Sequence, residues 1–144
     1  MNCTFFGHRD TPDEVAALIK QTLKLLVEEK GVTCFYVGEQ GNFDRLVRCE
    51  LQALRQEYPH IRCFVVLAYL PLHSKCGERT GFDTIYPAGL ETVPPRYAIV
   101  KRNEWMLNKA DVVVTYVKYT FGGAAQLQEL ARRKGKAVYN LAEM

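Results

Sequence analysis

Two uninterrupted apolar runs constrain the fold most: Phe64-Val65-Val66-Leu67 and the stretch Asp111-Val112-Val113-Val114-Thr115-Tyr116-Val117. A strand with one wet face alternates apolar and polar residues. A strand that does not alternate needs cover on both faces, which a parallel sheet between two helical layers supplies. The residues around these runs answer that need, because helical periodicity alternates with short β-rich segments along the whole chain.

The first strand reads as Cys3-Thr4-Phe5-Phe6, broken at Gly7. A helix is predicted from about Pro12 to Glu29. Thr11 is placed to cap it, Pro12 stands at its first position, and Glu14 closes a capping box. Val15, Leu18, Ile19, Thr22 and Leu26 recur at helical spacing, and Lys30-Gly31 is the stop. Thr33 to Val37 is the second strand, and a helix follows from about Phe43 to Glu57 with Leu46, Val47, Leu51 and Leu54 on one face. Arg62 to Ala68 is the third strand. The polar segment Tyr69 to Phe82 reads as a long loop, and Asp83 to Tyr86 as a short strand. Pro94-Pro95 opens a helix that runs to about Lys109. After the Asp111–Val117 strand come a helix from Ala124 to Lys134, a stop at Gly135, and a last strand from Ala137 to Asn140. Strands joined by helices must lie parallel, so the fold class is α/β: a single doubly wound, mainly parallel, Rossmann-like sheet with helices on both faces. Residues 1–144 read as one domain, with no repeat, low-complexity tract or linker.

In such a sheet ligands bind beyond the carboxyl ends of the strands, at the switch point in strand order. Three segments there suit an anion: Gly7-His8-Arg9, Gly38 to Asp44 with Gly41 inside it, and Thr120 to Gly123 with the pair Gly122-Gly123. Glycine admits close backbone approach, and a helix N-terminus favours negative charge. Tight turns would use the same glycines. His8 suits phosphate binding better than proton transfer, and Asp44, after a cap at Asn42, suits either the helix dipole or a ligand hydroxyl. No GxGxxG and no GxxxxGK[ST] occurs, so an NAD-type site is poorly supported and a P-loop is excluded.

The third helix carries a further clue. Ala98, Arg102 and Met106 share one face, so Arg102 and its neighbour Asn103 interrupt an apolar stripe. A buried guanidinium is costly unless paired. Either Arg102 snorkels or pairs with Glu50 or Asp111, or Arg102 and Asn103 reach a ligand pocket. Tyr97 and Trp105 read as packing residues.

Composition narrows the function classes. Net charge is only +3 and the basic residues are dispersed, which disfavours a nucleic-acid stripe and leaves small anionic ligands open. The five cysteines form no CxxC, and Cys3, Cys34 and Cys63 fall in predicted strands, so buried reduced thiols in a cytoplasmic protein are expected. No secretory signal is read, since the first strand follows Met1-Asn2 directly, and no run approaches a membrane span. His73-x-x-Cys76 lacks a second ligand pair, so no metal site is expected.

Phe6-Gly7-His8-Arg9 after the first strand, Arg102-Asn103-x-x-Met106 before the Asp111 strand, and Gly122-Gly123 before a helix ending Lys134-Gly135-Lys136 form an ordered set. The set resembles the SLOG superfamily, in particular its YpsA-like branch, which is related to DprA and to the LOG phosphoribohydrolases. The resemblance spans essentially the whole chain. It implies a Rossmann-like domain with a nucleotide pocket, with Asp44 facing it. LOG enzymes cleave the N-glycosidic bond of nucleoside monophosphates with an Arg and a Glu. Arg102, Met106, Gly122, Gly123 and Glu129 match that pattern, whereas Phe121, Ala125 and Gln126 depart from it. Glu129 has a second reading as a solvated ion pair with Arg132 or Arg133.

The expected function is therefore binding of a nucleotide-like small molecule by a sensor or regulatory domain. The ligand-binding set is Gly7, His8, Arg9, Gly38, Gly41, Asp44, Arg102, Asn103, Gly122 and Gly123. The alternative is a phosphoribohydrolase with Arg102 and Glu129 catalytic. A DprA-like nucleic-acid binder ranks third. Neither a cofactor nor a membrane partner is expected, and homo-oligomerisation stays open.

Overall fold

The computed structural model describes residues 1–69 and 82–144. Six strands form one sheet: β1 (Asn2–Gly7), β2 (Cys34–Val37), β3 (Arg62–Val66), β4 (Asp83–Ile85), β5 (Val112–Tyr116) and β6 (Ala137–Asn140). Their order is β4-β3-β2-β1-β5-β6, and every neighbouring pair is parallel. Among the described residues four α-helices accompany them: α1 (Ala16–Glu29), α2 (Gly41–Glu57), α3 (Ala98–Lys109) and α4 (Gly123–Arg133).

The two layers explain the missing alternation. Ile19, Leu23 and Leu26 of α1 and Val47 and Leu51 of α2 pack on the sheet side formed by Phe5, Phe35, Val65 and Val114. Met106 and Leu107 of α3 and Ala131 of α4 pack on the other side, against Phe6, Val66 and Val113. Adjacent residues such as Phe5 and Phe6 therefore enter different cores, and both must be apolar. The order reverses between β1 and β5. The chain leaves β1 for α1 on one face and β5 for α4 on the other, so a crevice opens at their carboxyl ends.

Several local expectations are corrected. No capping box starts α1. Pro12, not Thr11, takes the cap position of a 3-10 turn over Asp13–Val15, which has no side-chain cap bond, and the Thr11 hydroxyl donates to the His8 carbonyl at 2.6 Å. Asn42 is no cap either, because it lies inside α2, where its Nδ2 donates to Asp13 Oδ1 at 2.8 Å. The third helix begins with a 3-10 turn, Pro95–Tyr97, and Tyr97 is exposed rather than packed. Trp105 does pack, edge-on to Tyr36 with centroids 5.5 Å apart. Cys3 and Cys63 are buried, but Cys34 is half-buried and Cys49 exposed. Burial pushes the Cys63 thiol up to about 12 and Cys3 well above its usual value. The loop read over Tyr69 to Phe82, with His73 and Cys76, lies almost wholly outside the described residues.

Candidate functional site

A cavity of about 330 Å³ opens at the switch point. Its walls come from the end of β1 (Phe5 to Arg9), the start of α2 (Gln40, Asp44), one face of α3 (Ile99, Val100, Arg102, Asn103) and the first turns of α4 (Gly123, Ala124, Leu127). Sequence reasoning chose seven of these residues: Gly7, His8, Arg9, Asp44, Arg102, Asn103 and Gly123. Gly38, Gly41 and Gly122 do not line it: Gly38 is buried beneath, and Gly41 and Gly122 are exposed.

Arg102 is the largest fully buried side chain among the described residues, with 1% of its surface exposed. It pairs with neither Glu50 nor Asp111. Its Nη1 donates to the Val66 carbonyl at the end of β3 (3.1 Å), and its Nε donates to Asn103 Oδ1 (2.8 Å). Asp44, 8% exposed, faces the same spot, and its Oδ2 accepts the Gln40 backbone N–H at 3.0 Å. That bond returns from the first turn of α2 to the residue before it, as the acid of a capping box does. Gly38 separates the two charges. A Cβ there would lie 2.8 Å from Asp44 Oδ2 and 2.9 Å from Arg102 Nη1, so only glycine permits the approach. Burial, the larger cause, raises the Asp44 carboxyl from its usual value; the Gln40 N–H, Arg102 and Arg48 act against it. Burial likewise lowers the Arg102 guanidinium, opposed by Asp44. Among the described residues neither Arg102 Nη2 nor Asp44 Oδ1 has a hydrogen-bond partner. The floor of the cavity thus offers one donor edge and one acceptor side by side.

The β1 corner is more crowded than a generic anion site. A Cβ on Gly7 would lie 2.3 Å from Phe43 Cγ, so this glycine is required by the packing of α2 against β1. Gly41 has φ +84°, and a Cβ on it would lie 2.7 Å from the Arg9 Cα. The Asn42 N–H donates to the Arg9 carbonyl at 2.9 Å, which closes the same contact. His8 Nε2 accepts the Lys118 backbone N–H at 3.0 Å. Arg9 is exposed, and its guanidinium has no partner among the described residues.

The β5 corner is open. Gly122 has φ +98° and ψ 172°, a conformation essentially reserved for glycine. Gly123 is the first residue of α4, and a Cβ on either glycine would meet nothing within 4 Å. The first N–H groups of α4 have no intrahelical acceptor and face this space. Of two neighbours, Tyr119 was not singled out from the sequence, and Phe121 was noted there only as a departure from the LOG pattern. Tyr119 is 42% and Phe121 71% exposed; their rings stack at 5.4 Å, and Tyr119 leans on His8 at 4.7 Å.

Glu129 is not brought to the cavity. It lies exposed on α4, with Arg133 Nε 3.5 Å from its Oε1. The buried polar residue of that turn is Gln128, hydrogen-bonded to Thr115. Among the described residues no three His, Cys, Asp or Glu side chains gather to hold a metal, and no helix is long and apolar enough to cross a membrane.

The parallel order, the switch-point cavity and the paired helical layers define a Rossmann-like α/β fold. The particular likeness is to the X-ray structure of DNA processing protein A (DprA) from Streptococcus pneumoniae. It has a TM-score of 0.68 at 17% identity and covers 95% of this chain and 48% of that one. At this identity the likeness shows the fold, and the chain spans about half of the DprA chain. No family model and no curated protein matches the sequence.

Proposed function

We propose that this domain binds a nucleotide or nucleotide-derived small molecule in the switch-point cavity and serves as a sensor or regulatory domain, of the YpsA-like kind that its ordered motifs suggest. The observation that carries the reading is Arg102, a charge buried at the cavity floor beside Asp44, with Gly38 kept small between them. A guanidinium this buried keeps little of its hydration, so the donor edge it turns to the cavity is a strong place for a ligand acceptor. A sugar hydroxyl can accept from Arg102 and donate to Asp44, while Arg9 and the α4 N-terminus suit a phosphate.

A phosphoribohydrolase needs a carboxylate at the glycosidic bond. Glu129 is turned to solvent, and Asp44, the acid that does line the cavity, has its charged form disfavoured by burial. That balance favours binding over catalysis.

The test is thermal unfolding and calorimetry with AMP, GMP, ribose 5-phosphate and cyclic dinucleotides. A ligand at 100 times its Kd stabilises by about 2.7 kcal/mol. Stabilisation is expected with at least one of them, and it is expected to fall in Arg102→Gln and, at the exposed rim, in Arg9→Ala. No stabilisation by any at millimolar concentration would overturn the reading. Release of free base from AMP would restore the hydrolase.

A further inference from the structure

We infer that Tyr119 and Phe121 form a stacking platform for a nucleobase at the mouth of the cavity. The ligand is then a base-bearing nucleotide rather than a bare sugar phosphate. This deepens the nucleotide reading above and rests on it.

Three aromatic rings run from the cavity wall to the surface. His8 lines the cavity, Tyr119 leans on it at 4.7 Å with the rings tilted by 41°, and Phe121 stacks on Tyr119 at 5.4 Å with the rings within 19° of parallel. The inner end is held in place, because His8 Nε2 takes the Lys118 N–H at 3.0 Å and its ring meets Tyr116 edge-on at 6.4 Å. The outer end is bare, with Phe121 71% exposed. Neither Tyr119 nor Phe121 lines the cavity itself; Phe121 is reached from His8 through Tyr119, and a phenyl ring left in water there carries an unused apolar face. Here the ring is also oriented by its neighbour, so it presents a flat plane without first having to be ordered.

The occupant follows from what adjoins that plane. Phe121 stands two residues before Gly123, where α4 begins and its free N–H groups favour an anion. Gly122, in its glycine-only conformation, turns the chain from platform to helix. A ligand that fills both places carries a planar apolar ring a short distance from a negative charge. A nucleobase on a phosphorylated sugar has that chemistry, whether it comes as a free nucleotide or within a single strand. Every base has a π-face, so the platform selects for a base more than for its identity.

Calorimetric titration of AMP, GMP and ribose 5-phosphate into the wild-type chain and the double variant Tyr119→Leu/Phe121→Leu tests this. Both residues are exposed, so the variant folds. AMP is expected to bind about 5- to 150-fold tighter than ribose 5-phosphate, the range of base–aromatic stacking, and the double variant to lose most of that advantage. Phe121→Trp is expected to keep it. The nucleotide of 2-aminopurine should lose fluorescence on the wild-type chain and not on the variant. If AMP and ribose 5-phosphate bind equally and the variant binds AMP as wild type does, the platform is wrong and the cavity reading stands. If none of AMP, GMP, ribose 5-phosphate and the cyclic dinucleotides binds, both fall; if only ribose 5-phosphate binds, the platform alone falls. An oligodeoxynucleotide that outcompetes AMP with a steep salt dependence, and is lost in the same variant, supports the platform and assigns its base to a strand.

Discussion

The corner after β1 and the corner after β5 flank one cavity and are written alike, each with a glycine where a strand gives way to a helix. Their glycines do opposite work. Gly7 has no room for a side chain because Phe43 of α2 occupies it, whereas Gly122 and Gly123 have nothing within 4 Å of a Cβ. The first corner is small so that the protein can close on itself. The second is small so that backbone can bend and N–H groups can face empty space. A glycine at a strand end is thus two signals in one letter, and the atoms around the missing Cβ separate them.

Substitution by alanine should break the comparison in a graded way. Gly7→Ala forces a methyl into a buried ring, and about 3 kcal/mol of destabilisation or more is expected by urea denaturation. Phe43→Leu in that background should return part of it; a loss under about 0.5 kcal/mol would mean that packing does not set this corner. Gly38→Ala pushes on Asp44 and Arg102 together and should cost about 2 kcal/mol along with nucleotide binding. Gly122→Ala strains the backbone without a clash, at about 1–2 kcal/mol. Gly123→Ala should leave stability unchanged or raise it by up to about 1 kcal/mol, since alanine favours a helix, and yet weaken ligand binding by filling the open space.

The smallest effect concerns pH. Burial raises the Asp44 carboxyl, so the folded protein keeps that proton at pH values where the unfolded chain has released it. Stability from this group is complete below the unfolded value and is lost as pH rises through the folded value. The denaturation midpoint of wild type should therefore carry an acidic step that Asp44→Asn lacks. Superimposable pH profiles would show that the carboxyl is not perturbed.

The architecture was legible because it rests on local pattern. Runs such as Val112-Val113-Val114 demand two covers, and the helical stripes that supply them sit between the strands. Arg102 was legible for the same reason, as a charge on an apolar stripe. What failed to show depends on partners far along the chain or on helix phase. Phe43 lies 36 residues beyond Gly7, and nothing near Gly7 announces it. Thr11 could cap a helix by composition, but the chain turns one residue later, so Pro12 takes the cap position and the Thr11 hydroxyl donates back to the His8 carbonyl. Glu129 missed the cavity by phase: Gln128 takes the inward position on α4, and one residue on, about 100° of rotation turns Glu129 to solvent. The exposed ladder of Tyr119 and Phe121 could not be read, because an aromatic letter does not say which side of the surface it is on.

The central place of β1 also bears on how the chain is made. Its register partners in β5 come more than a hundred residues later, Cys3 opposite Val112 and Phe5 opposite Val114. While β2 and β3 emerge from the ribosome and pair on one side, the other edge of β1 stays open until the last third of the chain is synthesised. Completion of this sheet therefore waits on its most distant pairing, which makes its closure a slow, non-local step and leaves an apolar edge open until then.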